Sequence, residues 1–200
     1  GKGVKVGILD FGFGHYGALQ QKGILPQPYA VRAFVNGEPS TNLGGTIHGT
    51  ACTEIVHQMA PDARIYLAQV GDGSGGAGSG DIMAAAQWLV DQGVDVINFS
   101  GGGHFGAHDG TNELDKMVEN VVSRGVLWVN AAGNEGDEHW LGAVADNNRN
   151  GFIDVNENRR GDHLVIEACG SRCGALSIQI NWDDWQSSPR RSGTVDVDAW

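Results

Sequence analysis

Long apolar runs are missing from this chain. No segment of its 200 residues approaches the ~18 apolar residues of a membrane-spanning helix, so no membrane partner is expected. Positive charge is scarce as well. Thirteen Lys and Arg stand against 24 Asp and Glu, a formal net charge of −11, which argues against nucleic acid because that partner wants a basic face. The same balance suits bound cations or an extracellular life. Cysteine is rare, with three in all. Cys169 and Cys173, in C-G-S-R-C, are close enough for a small-loop disulfide, while Cys52 is expected to be a free thiol on the buried stripe of a helix. No signal peptide opens the sequence; G-K-G-V-K-V-G-I-L-D is already a strand, so any targeting or pro-segment is expected to have been removed and the protein to be secreted. The glycine-rich stretch 71–80 lacks the G-K-[ST] ending of a phosphate cradle, which disfavours a nucleotide-binding domain, and no organic cofactor is expected.

What remains is enough for a core, since 40% of the residues are hydrophobic. Strand-like runs fall at 4–10, 30–35, 64–70, 94–100 and 126–132. Between them the periodicity predicts three helices. One spans 48–59, with Cys52, Ile55, Val56 and Met59 on one stripe and Pro61 beyond it. Another spans 81–92, with Ile82, Ala85, Ala86, Leu89 and Val90 on one face. The third spans 112–124, carrying Leu114, Met117, Val118, Val121 and Val122. Apolar strands alternating with amphipathic helices predict an α/β fold with a doubly wound parallel sheet. From about residue 158 the pattern changes to short alternating stretches that predict the start of an inserted β-sandwich. The expected organisation is therefore an α/β part over 1–140, a linker or calcium loop over 141–157 and a β-rich insert over 158–200.

Functional groups in such sheets gather at the carboxyl ends of the strands. Three loops there carry candidate chemistry. L-D-F-G-F-G puts Asp10 at the end of the first strand. H-G-T opens the helix after the second strand on His48, a poor helix cap. A-A-G-N-E-G puts Asn134 past the fifth strand. A carboxylate, an imidazole and an amide can divide one reaction between them. Asp10 would orient His48, His48 would act as general base, and Asn134 would donate to a developing oxyanion. Gly49 permits substrate or backbone to come close to His48.

On these residues the chain resembles the subtilisin-like serine proteases. The likeness covers roughly residues 3–136: V-K-V-G-I-L-D-F-G, H-G-T-A-C-T-E-I-V, V-D-V-I-N-F-S-G-G-G and V-N-A-A-G-N-E-G, in the family's order. It implies Asp10 and His48 as triad members, Asn134 as oxyanion donor, and Ser100, Gly101 and Gly102 as backbone that pairs with a peptide or protein substrate. It also makes the 71–80 loop a mobile neighbour of the substrate cleft. Phe11 departs from the family's usual Ser or Thr after the aspartate. A larger departure is the nucleophile: no Gly-Thr-Ser opening a helix occurs in the 200 residues, and Ser171, Ser177, Ser187, Ser188 and Ser192 precede no apolar helical run. Without a nucleophile no acyl-enzyme forms. The expectation is a protease piece whose serine half lies elsewhere, and the alternative is an inactive peptide- or calcium-binding relative. A piece of this kind would expose apolar faces, so self-association, or binding of a missing C-terminal half, is expected.

D-N-N-R-N-G-F-I-D-V-N-E (146–157) has the spacing of a twelve-residue calcium loop. Asp146, Asn148, Asn150, the Phe152 carbonyl, Asp154 and Glu157 would offer oxygens around one Ca²⁺; no amphipathic helix flanks them, and an Asn-rich turn is the plainer alternative. His104 and His108 have metal-like spacing but no third ligand. His57 is expected at the surface, and Trp182, Trp185 and Trp200 in a sandwich core.

Overall fold

The computed structural model describes residues 1–103 and 110–134, together with Gly136 and Arg149. His104 and His108, the residues expected to ligate calcium (Asp146, Asn148, Asn150, Phe152, Asp154 and Glu157), Cys169 and Cys173, and the stretch 158–200 expected to be β-rich lie outside the described residues. Residues 1–133 belong to one compact unit and Asn134 begins another.

Six strands form one sheet: β1 (Lys5–Asp10), β2 (Ala30–Val35), β3 (Glu38–Ser40), β4 (Arg64–Val70), β5 (Val96–Phe99) and β6 (Leu127–Asn130). Their order is β3-β2-β4-β1-β5-β6. All pairings are parallel except β2–β3. β1 is central, held by β4 on one side and β5 on the other. That position explains its sequence: a strand covered on both faces reads as a continuous apolar run, and residues 6–10 are all buried.

Alternate residues of the strands feed two cores. Leu9, Tyr66, Ala68, Val70, Ile97 and Phe99 face one side with α3 (Ser79–Asp91) and α4 (Glu113–Ser123). Val6, Ile8, Ile65 and Leu67 face the other, where residues of α1 (Tyr16–Gln21) and α2 (His48–Met59) pack. Helices on both faces make the sheet doubly wound, in agreement with the sequence. The expected stripe of α3 is buried throughout, at Ile82, Ala85, Ala86, Leu89 and Val90. α4 begins where Asn112 accepts from the Leu114 and Asp115 amides at 2.9 and 3.0 Å, an N-cap that satisfies two otherwise orphaned donors.

Four expectations need correction. Only half of the apolar stripe of α2 meets the core: Cys52 and Val56 pack on it half-buried, and the other two members do not. Ile55 is 64% and Met59 84% exposed, while Gly49, Thr50 and Thr53 are buried. Hydrogen bonding decides this: Thr50 Oγ1 donates to the Gly14 carbonyl at 2.8 Å and Thr53 Oγ1 to the Gly49 carbonyl at 2.7 Å, so two hydroxyls enter the interior without penalty. On α4, Val121 is buried but Val122 is exposed, because one stripe position falls past the edge of the contact. The sheet is not wholly parallel, because Asn36 and Gly37, at φ 52° and 82°, turn the chain into the β2–β3 hairpin. Asp81 fixes that turn by accepting from both amides at 3.0 and 2.9 Å. His57 is half-buried, with Nδ1 shielded and without a partner, rather than a surface group.

Candidate functional site

Asp10 is the last residue of β1 and His48 the first of α2, so two element ends meet. Several main-chain bonds bring them together. The Phe13 amide donates to the Gly44 carbonyl, the Gly14 amide to Thr46, and the Gly49 amide to Gly12, at 2.8, 2.8 and 2.9 Å. Gly49 makes the approach feasible. A Cβ there would sit 2.7 Å from both the Asp10 Cβ and the Gly12 carbonyl oxygen, closer than real contacts allow. The H-G pairing is thus a packing requirement on the backbone side.

The Asp10 carboxylate is out of solvent, whereas the His48 side chain is about half exposed, at 53%. His48 Nδ1 lies 3.0 and 2.9 Å from the two carboxylate oxygens, and the Phe11 amide donates to Oδ1 at 2.8 Å. With Nδ1 donating to the carboxylate, Nε2 is the ring nitrogen left to accept a proton. Burial pushes the Asp10 carboxyl above its usual range. The hydrogen bond and charge of His48 and the amides of Phe11 and Gly12 pull it down without cancelling that rise.

Cys52 belongs to this cluster, which sequence reasoning missed. Expected as a core thiol, it is half-buried with Sγ 4.0 Å from His48 Nδ1. The signal was present: position i+4 on a helix lies on the same face one turn along. Burial raises its pKa, the Ser100 hydroxyl partly offsets this by hydrogen bonding, and the Asp10 charge adds to the rise. The thiol therefore stays protonated at neutral pH. Among the described residues, Asp10, His48 and Cys52 are the group whose ligand-type atoms all lie within 4.8 Å of one another.

Through Cys52 the site extends to Ser100, which also accepts from Asn98 Nδ2 at 3.0 Å. Gly101 follows, and here Phe11 finds its reason. A Cβ on Gly101 would meet the Phe11 ring at 2.6 Å, and that ring packs on Phe99 with centroids 5.8 Å apart. A large residue after the aspartate is accommodated by an absent side chain across from it. Gly102 is exposed beyond. The glycine-rich loop, expected to be mobile, is tied at several points. The Gly71 amide donates to Phe34, the Thr46 amide to the Gly73 carbonyl, both at 2.9 Å, and the Ser74 amide to Asp72 Oδ1, also at 2.9 Å. Asn134, exposed, follows β6 by four residues and opens the second unit. The structure thus brings Asp10, His48 and Cys52 together in the first unit, with the Ser100 hydroxyl beside the Cys52 thiol and Gly101 and Gly102 following in the chain.

Among the described residues no helix is long and apolar enough to cross a membrane. Comparison with known proteins gives consistent relatives. Subtilisin Savinase from Lederbergia lenta is 34% identical over 148 residues, covering 68% of this chain and 49% of that protein. An alkaline protease from Alkalihalobacillus alcalophilus is also 34% identical over 148 residues, covering 68% of this chain and 35% of its own length. Subtilisin DY from Bacillus licheniformis is 30% identical over 173 residues, covering 80% and 60%. A crystal structure of a lanthipeptide protease superposes with a TM-score of 0.53 at 29% identity, covering 66% of this chain and 40% of that one. The chain spans between 35% and 49% of the length of the first two relatives. The family description that matches residues 1–159 is the subtilase family, and the chain belongs to it.

Proposed function

We propose that the chain is the aspartate–histidine part of a secreted subtilisin-like serine endopeptidase whose nucleophilic serine lies outside these 200 residues. The single observation that carries the reading is the buried Asp10 carboxylate gripping His48 Nδ1 at 2.9–3.0 Å while the imidazole keeps an exposed side. In the proposed reaction His48 Nε2 takes the proton of the serine hydroxyl as that oxygen attacks the scissile carbonyl, then returns it to the leaving amine. Asp10 holds the tautomer. Its charge, kept from water, stabilises the imidazolium that forms. Asn134 is assigned to the oxyanion, a role worth about 2.7–4 kcal/mol in subtilisin. Ser100, Gly101 and Gly102 offer backbone to an extended peptide. By itself the chain, lacking a Gly-Thr-Ser segment, is expected to be inactive.

The test uses the natural protein that carries this chain. A fluorophosphonate probe is applied, the protein digested, and any modified serine mapped by mass spectrometry, with His48→Ala as control. A labelled serine outside residues 1–200 that is lost in the control supports the reading. A folded protein that takes no label overturns it in favour of a protease scaffold kept for peptide binding.

A further inference from the structure

The segment Ser100–Gly101–Gly102–Gly103 follows β5 and has almost no side chains to fix its course. Glycine populates backbone conformations that other residues avoid, so such a run holds one extended path only if its surroundings impose it. β6 supplies a constraint. Trp128 and Asn130, two residues apart on a strand, lie on the same face. Trp128 packs on Phe99 with ring centroids 5.9 Å apart and donates its indole N–H to Asn130 Oδ1 at 3.0 Å. Asn130 Nδ2 in turn donates to the Gly101 carbonyl at 3.1 Å and to the Ala131 carbonyl at 2.7 Å. The chemistry of the partners sets the amide's orientation. An indole N–H only donates and carbonyls only accept, so Oδ1 must face Trp128 and Nδ2 must face Gly101.

We propose that Asn130 is a positioning residue for peptide recognition, fixing the Gly101 carbonyl so that the neighbouring backbone groups of Ser100 and Gly102 face an incoming extended chain. The inference deepens the protease reading and rests on its assignment of the 100–102 segment. Along extended backbone, successive carbonyls point to opposite edges. On such a path, a Gly101 carbonyl turned toward β6 would turn those of Ser100 and Gly102 the other way. Phe11 acts from the other side, its ring filling the space where a Gly101 side chain would stand. Glycine at 101 is thereby required by packing, and Asn130 removes the freedom that this glycine introduces. The partner is a peptide strand recognised through its main chain, by β-augmentation.

The natural protein is compared with its Asn130→Asp and Trp128→Phe variants. Aspartate can still accept from the indole but cannot donate to Gly101; phenylalanine keeps an aromatic ring against Phe99 but removes the N–H. Calorimetry measures binding of a hexapeptide whose central peptide bond is reduced, so that no catalysis is needed, and of a two-residue fragment too short to pair along 100–102. The expected result for Asn130→Asp is about tenfold weaker hexapeptide binding, corresponding to about 1.4 kcal/mol, with the fragment's affinity and the melting temperature unchanged. Trp128→Phe is expected to shift hexapeptide binding in the same direction by less. Equal hexapeptide affinity in wild type and Asn130→Asp, equal weakening for both ligands, or no hexapeptide binding by the wild type overturns the inference. Hydrolysis of the unmodified hexapeptide by the wild type is scored separately. Binding that depends on Asn130 without any cleavage would reject the protease reading and leave the positioning role standing.

Discussion

α2 and α3 are helices of nearly equal length, 12 and 13 residues, on opposite faces of one sheet, and they are held in different ways. α3 is fixed by apolar area, with Ile82, Ala85, Ala86, Leu89 and Val90 buried as its periodicity predicts. α2 turns small and hydroxylated residues inward and leaves Ile55 and Met59 outside. The difference is one of distance. Large side chains space a helix about 8–10 Å from what it packs against. Gly49, followed by two threonines that bond to main-chain carbonyls, lets α2 press its first turn against the end of β1 and place His48 on Asp10. One helix maximises cohesion and the other accuracy of placement.

The comparison is broken most severely at the first residue of α2. His48→Ala in the natural protein should lower peptide hydrolysis by about 10⁴–10⁶-fold, measured as kcat, with secondary structure retained. Next comes the contrast between Gly49→Ala and Leu89→Ala. The added methyl at 49 has no room and must displace α2 from β1, costing about 1–3 kcal/mol and reducing kcat by more than the stability loss explains. Leu89→Ala should cost about 2–5 kcal/mol by opening a cavity, yet leave kcat of the molecules that remain folded near wild type. Urea melts paired with active-site titration separate the two, and equal kinetic damage from both would end the distinction.

A subtler effect follows from Asp10. Its folded pKa lies above its unfolded value of 3.8, so the protonated form favours the fold. The associated stability is complete below the unfolded pKa and is lost as pH rises through the folded one. Asp10→Asn therefore melts higher than wild type at neutral pH, and the gap closes as the pH is lowered toward 3.8, while hydrolysis is largely abolished. Thermal melts across that range would show a constant or reversed gap if the burial argument is wrong. The smallest effects belong to the exposed side of α2: Ile55→Gln with Met59→Lys should change stability by no more than about 0.5 kcal/mol each. The same pair should reduce self-association of the isolated chain in sedimentation, since both side chains stand in water.

Much of this was legible in the sequence for physical reasons that differ by element. β2 and β4 were delimited to the residue; β4 is buried at every position after Arg64, whereas β2 is buried only at Ala33 and Phe34 and carries the exposed Arg32 within its run. α3 was legible because its packing is apolar. α2 was placed correctly from His48 to Met59, but only half of its inner face, Cys52 and Val56, was legible, since hydrophobic periodicity is blind to threonines that satisfy their hydroxyls on carbonyls. The Asn36–Gly37 turn carries a standard hairpin signal that apolar periodicity alone passes over, and the six-residue α1 is too short to show a period. In the site, Asp10 and His48 were legible as strand end and helix start. Cys52 was not, because its apolar neighbours assigned it to a core, and the Trp128–Asn130–Gly101 chain was not, because it joins distant parts of the sequence through one amide.

The central place of β1 carries a consequence for how the molecule is made. Val6 pairs with Ile65 on one side and with Val96 on the other. A ribosome adding about 5–20 residues per second releases the first strand several seconds before the first of these partners and longer before the second. During that interval the Asp10 carboxylate remains hydrated, and nothing yet excludes water around His48. The contact between Asp10 and His48 is therefore a late product of the nascent chain, available only after both flanking strands have docked. Pulse-labelled hydrogen exchange on refolding chains should find β1 amides protected together with those of β4 and never before them.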